Sequence, residues 1–338
     1  MNRAASNTRP IFRFGARFSA LALAAGLAAV FAGPAGAAAP YPNHAITMIV
    51  PYAAGGSADV LGRVIAQEMG KQLGQTVVPD LRPGAGGNLG AEIVAKSSAH
   101  DGYTFLFASV SLSTSVSLMK LNFDPRKDLV PVAGLATIPS LLVVSANSPY
   151  HSLADLVKAA KEKKGAVSFG SSGLATGSHL SGELLKAASG ADMLHVPYKG
   201  SGAVYPDLIA QRITFLIDVM GSSIGQVQGG KVRALAITSA HRSKSLPNVP
   251  TVAEQGFPGF EFGTWFGFFA PAGTPPDVVH KLETASLAAI KTDAVKERFE
   301  AVGAEALPGP AKDFGQWYLQ DVERWAKLVR EGRIQPIQ

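Results

Sequence analysis

The chain has 338 residues, a formal net charge of +6 and no cysteine. The missing thiols exclude disulfides, thiolate metal sites and a cysteine nucleophile. Four positive charges sit near the start, and without them the formal charge is +2; no basic stripe is left to support a nucleic-acid partner.

Arg3, Arg9, Arg13 and Arg17 open the chain with no acidic residue among them. Residues 18–32 are then apolar, Gly33-Pro34 breaks the run, and small residues follow up to Ala39. This is the order of a secretory signal peptide, and the apolar run is shorter than the roughly 20 residues that span a bilayer. Segment 1–38 therefore reads as a signal cleaved after Ala37 or Ala38, which puts the mature protein in the periplasm. About 300 residues remain, enough for two modest lobes or one large domain.

The mature chain begins with a strand at 45–52 (AITMIVPY), the loop AAGGSAD, and apolar residues at helical spacing from Val60 to Leu73. A strand at 76–81, the loop RPGAGGN and a helix at 89–96 repeat that grammar, and a strand at 104–109 leads into a Ser-rich segment. The pattern restarts with a strand at 140–147 and a helix at 153–161, for which Ser152 is the cap. Residues 167–170 run into SSGLATGSH and a further helix; 194–196 run into PYKGSGAV, and 213–219 into MGSS. A strand at 234–238, a Pro-rich stretch, the aromatic run FGTWFGFFA at 262–270 and three helices between 276 and 331 complete the chain. Strand–loop–helix repetition predicts an α/β protein with mostly parallel sheets.

Three loops share one design: 53–59, 84–88 and 171–179 each join a strand end to a helix start through glycine and small residues. In parallel sheets such loops lie at the carboxyl ends of the strands, where ligands of open α/β folds bind. Glycine admits close approach of the backbone, and the free N–H groups of a helix start favour an anion. The hydroxyls of Ser57, Ser171, Ser172, Thr176 and Ser178 are neutral donors that suit a carboxylate. Asp59 reads first as a helix-start carboxylate. His179 can touch ligand or serve as a cap. Asp218 ends an apolar strand, an odd place for an unpaired charge, which points it at a cleft. The Trp265-Phe266-Phe268-Phe269 run reads as packing.

Enzyme and cofactor readings fail on detail. Leu89 stands where a dinucleotide fingerprint needs its third glycine, no loop ends in Gly-Lys-Ser/Thr, and Gly-x-Ser-x-Gly is absent. The seven histidines are far apart in sequence and form no metal-binding pair. The expectation is a protein that is not an enzyme and uses no cofactor or metal.

The chain resembles the Bug-type periplasmic solute-binding proteins that serve tripartite tricarboxylate transporters. The marks are ITMIVPYAAGGSADVLGR, RPGAGGNLGAE, HDGYTFLFAS, FGSSGLATGSHLSGE, HVPYKGSGA, LPNVPTVAEQGFPGFE and TWFGFFAPAGTP, which occur in the family's order from about Tyr41 to Gly332. The resemblance implies a two-lobe, Venus-flytrap fold of the type II periplasmic-binding class. Lobe one would hold 40–139 and 262–338, and lobe two 140–261. It further implies that Tyr52, Ala53, Ala54, Gly55, Gly56, Ser57 and Asp59, with Gly86, Gly87 and Asn88, hold one carboxylate through backbone amides and ordered water. Ser171, Ser172, Thr176, Gly177, Ser178 and His179, with Tyr198 and Asp218, would close on its other end. Ala54 departs from the glycine or proline frequent in the family, and Tyr52 from phenylalanine. The implied function is capture of a small organic acid by a monomer for membrane permease subunits; the same fold could instead present ligand to a membrane kinase.

Overall fold

Hydrophobic strands that end in glycine-rich loops build one ten-stranded sheet system in this computed structural model, which describes residues 1, 40–307 and 309–337. The export signal read at 1–38 lies outside the described residues apart from Met1. The body of the protein is the unit Pro42–Gln338.

Strands β1 (Ile46–Val50), β2 (Val77–Leu81) and β3 (Thr104–Ser109) pair in parallel, as do β5 (Ser168–Ser171), β6 (Leu194–Pro197) and β7 (Phe215–Val219). Two strands cross these groups in the opposite sense. β9 (Gly263–Pro271) lies antiparallel between β3 and β4 (Leu129–Ser145). β4 has 17 residues and serves both groups. Its Leu129–Pro139 portion pairs with β9, and from Ser140 on it pairs with β7 and with β8 (Val232–Ile237). The strand–loop–helix units thus give the parallel pairings expected of them, and β4 and β9 add antiparallel ones. The strand expected at 140–147 is the second half of β4, which begins at Leu129. β10 (Glu305–Ala306) pairs antiparallel with the first half.

Helices cover the sheet. α1 (Ser57–Leu73), α2 (Asn88–Ala95) and α3 (Ser111–Leu118) follow β1, β2 and β3; α4 (Leu153–Glu162) follows β4. α5 (Gly177–Ser189), α6 (Ser201–Ile209) and α7 (Met220–Gln228) follow β5, β6 and β7. α8 (Pro276–Ala289), α9 (Asp293–Ala301) and α10 (Ala311–Arg330) close the chain. The Ser-rich segment is α3: Ser111, Ser113 and Ser115 are buried, and Ser113 and Thr114 donate to backbone carbonyls of the preceding turn. α4 starts as expected, with a reciprocal capping box between Ser152 and Asp155.

The aromatic run belongs mainly to the core. Trp265 and Phe269 pack edge-on and tilted against Phe314 and Tyr318 of α10. The Trp265 indole N–H, which would be costly to bury unpaired, donates to Asp321 at 2.9 Å. Among the described residues no helix is long and apolar enough to cross a membrane.

Candidate functional site: a cleft at the strand ends

β1, β2, β3, β5, β6 and β7 all deliver their carboxyl ends to one cleft of about 670 Å³, at Pro51, Pro83, Ser109, Ser172, Pro197 and Val219. The first wall is built from the segments after β1, β2 and β3. The second is built from the segments after β5, β6 and β7. Helices α1, α2, α5, α6 and α7 start at these segments, and in none does the side chain of the capping residue accept from a backbone N–H of the first turn. A helix start leaves backbone N–H groups without intrahelical partners, carries partial positive charge and attracts anions.

On the first wall, Tyr52, Ala53, Ala54, Gly56, Ser57, Gly86 and Gly87 line the cleft. The Tyr52 hydroxyl, the departure noted in the sequence, is held by Ser109 Oγ at 2.6 Å and Ser111 Oγ at 2.8 Å. It ties the end of β1 to the start of α3, and burial pushes its ionisation upward. On the second wall, Ser172, Thr176, Gly177, Ser178, Tyr198 and Asp218 line the cleft. The hydroxyls expected to face ligand as donors bond to each other instead: Ser172 Oγ to Ser178 Oγ at 2.8 Å, Thr176 Oγ1 to Ser178 Oγ at 3.0 Å, and Thr176 Oγ1 to the Gly173 carbonyl at 2.7 Å. The network stiffens the turn that presents the start of α5. Tyr198 donates to Asp207 at 2.8 Å, outside the cleft's polar floor.

Five expected contacts stand behind the walls. Gly55 has a φ of +78° and gives its N–H to Asp59 at 2.9 Å, while Asp59 pairs with Arg63 at 2.6 Å. Asp59 is thus the helix-start carboxylate that the sequence suggested first. Asn88 is buried, and its amide donates to Ala85 and Ser115. Ser171 bonds His195 Nε2 at 2.6 Å, and His179 accepts from the Ala175 N–H and stacks on His195 at 4.1 Å. These groups hold the loops in shape because their polar atoms are taken up locally.

The cleft also holds residues the sequence reading passed over. Met119 and Leu174 add apolar surface, and Lys199 stands exposed on the loop before α6; Phe266, read as packing, also lines the cleft. Thr264 lines the floor with its Oγ1 buried and without a partner. The segments at 197–201 and 218–222 have the same strand–small residue–helix grammar as the three loops that were singled out, so that signal was present. Thr264 lies inside a strand and gave none.

The walls touch at the rim. A Cβ on Gly86, whose φ is +67°, would collide with the Leu174 carbonyl of the opposite wall, and one on Gly200 would lie 2.9 Å from the Ala53 Cβ. Ser57 Oγ meets Ser222 Oγ at 2.8 Å, and its N–H donates to the same oxygen at 3.0 Å. The cleft is bridged at these points and stays partly open to solvent between them.

An α/β sheet split by crossing strands, with helix starts converging on a cleft between two walls, defines a protein of the periplasmic-binding-protein fold. The structure of periplasmic binding protein BugD superposes with a TM-score of 0.83 at 33% identity, over 88% of this chain and 100% of that one. An R. palustris protein solved with adipate gives 0.82 at 35%, over 88% and 100%; MatC from Rhodopseudomonas palustris, solved with bound malate, gives 0.81 at 32%, over 86% and 100%. BugT of Bordetella pertussis (strain Tohama I) is 38% identical over 310 residues, 89% of this chain and 95% of its own length. The family described as the tripartite tricarboxylate transporter family receptor matches residues 61–334. This chain belongs to that family.

Proposed function

We propose that the protein is an extracytoplasmic receptor that captures a small organic carboxylate and passes it to the membrane permease subunits of a tripartite tricarboxylate-type transporter. The convergence of five helix starts, without side-chain caps, on one chamber of about 670 Å³ carries this reading. Adipate and malate in the related solved proteins support a carboxylate as the ligand class. Residues 40–139 with 262–338 form one lobe and 140–261 the other; the change of partners along β4 at Pro139 and Ser140 supports this division. The ligand favours the closed arrangement because only there do both walls reach it. A micromolar affinity corresponds to about −8 kcal/mol, within reach of several charge-assisted hydrogen bonds plus apolar burial.

The test is a thermal-shift screen of the mature protein against small organic acids, since a ligand of the native state raises the melting temperature. Acids should shift it and their methyl esters should not, because esterification removes the charge that helix starts favour. Equal shifts from acid and ester, or no shift from any acid, would remove the carboxylate reading.

A further inference from the structure

The chamber offers many donors and few acceptors. Its walls are largely backbone, alanine, proline, glycine and hydroxyl, and of the residues that line it Lys199 and Asp218 carry charge. Lys199 is exposed on its loop, whereas Asp218 is 1% exposed. Asp218 Oδ1 accepts from Ser201 Oγ at 2.8 Å and Oδ2 from Tyr205 Oη at 3.1 Å. None of the ion pairs among the described residues involves it. A carboxylate has about four lone-pair sites and, when ionised, only accepts. The two hydroxyls, with the Val219 N–H beside them, still leave Asp218 with acceptor capacity that an incoming donor can use. Across the floor, Thr264 is 4% exposed and its Oγ1 has no partner. The start of α5 comes so close to it that a Cβ on Gly177 would collide with that oxygen.

We propose that Asp218 and Thr264 read the body of the ligand, and that this ligand is a small acid bearing an amino or hydroxyl substituent. The inference rests on the carboxylate reading above and narrows it. The ligand's carboxylate takes the helix-start amides. Its ammonium or hydroxyl donates to Asp218, and Thr264 completes its own hydrogen bonding on the same polar groups. An acid with a plain hydrocarbon chain brings further acceptors and negative charge towards a buried carboxylate, and leaves both residues as they are. A buried charge without a counter-ion is poorly solvated, so an ammonium beside it is favoured twice, by charge and by hydrogen bonding. Burial pushes the Asp218 carboxyl up to about 6, against the lowering by Ser201 and Tyr205, so it stays largely ionised at neutral pH.

The experiment is calorimetry at pH 7.5 on matched triplets: propionate, lactate and alanine; succinate, malate and aspartate; adipate, 2-hydroxyadipate and 2-aminoadipate; 3-phenylpropionate, phenyllactate and phenylalanine. The tightest binder should be an amino or hydroxy member, at least tenfold tighter than its unsubstituted parent. In Asp218→Asn that ratio should fall to threefold or less. Thr264→Val, of nearly the same shape, should weaken the substituted acid about tenfold without lowering the melting temperature of the free protein. If Asp218→Asn does not fold, the wild-type ratio and Thr264→Val decide. Parents that bind as well as their derivatives, or ratios that survive the substitutions, overturn this inference and leave the carboxylate reading standing. Failure of every acid to bind overturns both.

Discussion

The two walls of the cleft are made of different materials. The first wall presents Pro51, Ala53, Ala54, Pro83, Gly86 and Gly87, with its hydroxyls drawn back into the tie between Tyr52, Ser109 and Ser111. The second wall presents a self-bonded hydroxyl turn at Ser172, Thr176 and Ser178, the buried carboxylate Asp218 and the lysine Lys199. A wall of backbone amides greets any carboxylate alike, since every anion satisfies an N–H. A wall with a fixed buried charge discriminates, because an ill-matched partner leaves that charge without compensation. On the function proposed above, helix starts on both walls capture the carboxylate while the fixed charge of the second wall discriminates, and variants on each side should fail in different ways.

The largest effect is expected where the walls collide. Gly86→Val puts a branched side chain at a φ of +67° and drives its Cβ into the Leu174 carbonyl. The backbone strain costs about 1–3 kcal/mol in the free protein. The Leu174 carbonyl belongs to the opposite wall, so ligand affinity should drop at least a hundredfold. Calorimetry with the best acid of the screen, alongside thermal melting, separates the two losses. Affinity within threefold of wild type would mean that the closed contact seen here plays no part in the bound state.

That contact was not legible in the sequence, although the loop containing it was. Gly84-Ala85-Gly86-Gly87 announced a turn with unusual backbone angles, and the structure puts Gly84, Gly86 and Gly87 at positive φ. Why Gly86 must be glycine depends on Leu174, which lies in another loop far along the chain; local pattern cannot supply a partner of that kind. The parallel strand units were readable because hydrophobic runs and glycine loops are local signals. The antiparallel partners of β4 and β9 were not, since pairing between segments far apart in the chain leaves no periodic trace. The same holds for the site. Asp218 was legible as an oddity at a strand end, while the consumption of Ser172 and Thr176 by their own turn needed coordinates.

A smaller effect is expected on the first wall from Tyr52→Phe. It removes an oxygen shared by two buried serine hydroxyls and leaves them to find new partners, at about 1–3 kcal/mol of stability. The apolar ring stays, so ligand affinity should change by less than fivefold. Urea titration and calorimetry check the pair of values. A large affinity loss with unchanged stability would mean that this hydroxyl reaches the ligand itself.

Smaller still is the hydroxyl bridge between the walls. Ser222→Ala removes the partner of both Ser57 Oγ and the Ser57 N–H. A net hydrogen bond is worth about 0.5–1.5 kcal/mol, a factor of about 2 to 10 in affinity. On the function proposed above the bridge belongs to the ligand-holding arrangement, so the loss should lie in faster ligand release with little change in the association rate. Stopped-flow fluorescence resolves the two rates. A loss confined to association would place the bridge in the open state instead.

The smallest effect at neutral pH, and a growing one in acid, comes from the histidines behind the second wall. Burial holds His179 down to about 3 from an ordinary 6.5, with the neighbouring His195 and Lys186 adding to it. Burial, then Lys186, holds His195 down to about 4. Both rings are therefore neutral in the folded protein at pH values where the unfolded chain has begun to protonate them. Because the folded values are depressed, the unfolded state binds more protons at these two rings between pH 6.5 and about 4, and stability falls as pH drops through that window, offset in part by Asp218, whose raised carboxyl takes up its proton first in the folded state. The loss should begin at the second wall, because the stacked rings support Ser171 and Ala175, which hold the turn before α5. No histidine lines the first wall, so it should be insensitive over the same range. Thermal melting of the ligand-free protein from pH 7.5 to 4.5 should show the melting temperature falling from about pH 6.5 downwards. His195→Gln, which keeps a hydrogen-bonding partner for Ser171 and cannot take up a proton, should flatten that slope at a small cost at pH 7.5. Equal slopes in the two proteins would show that the acid sensitivity arises elsewhere, and that the second wall is no more sensitive to protonation than the first.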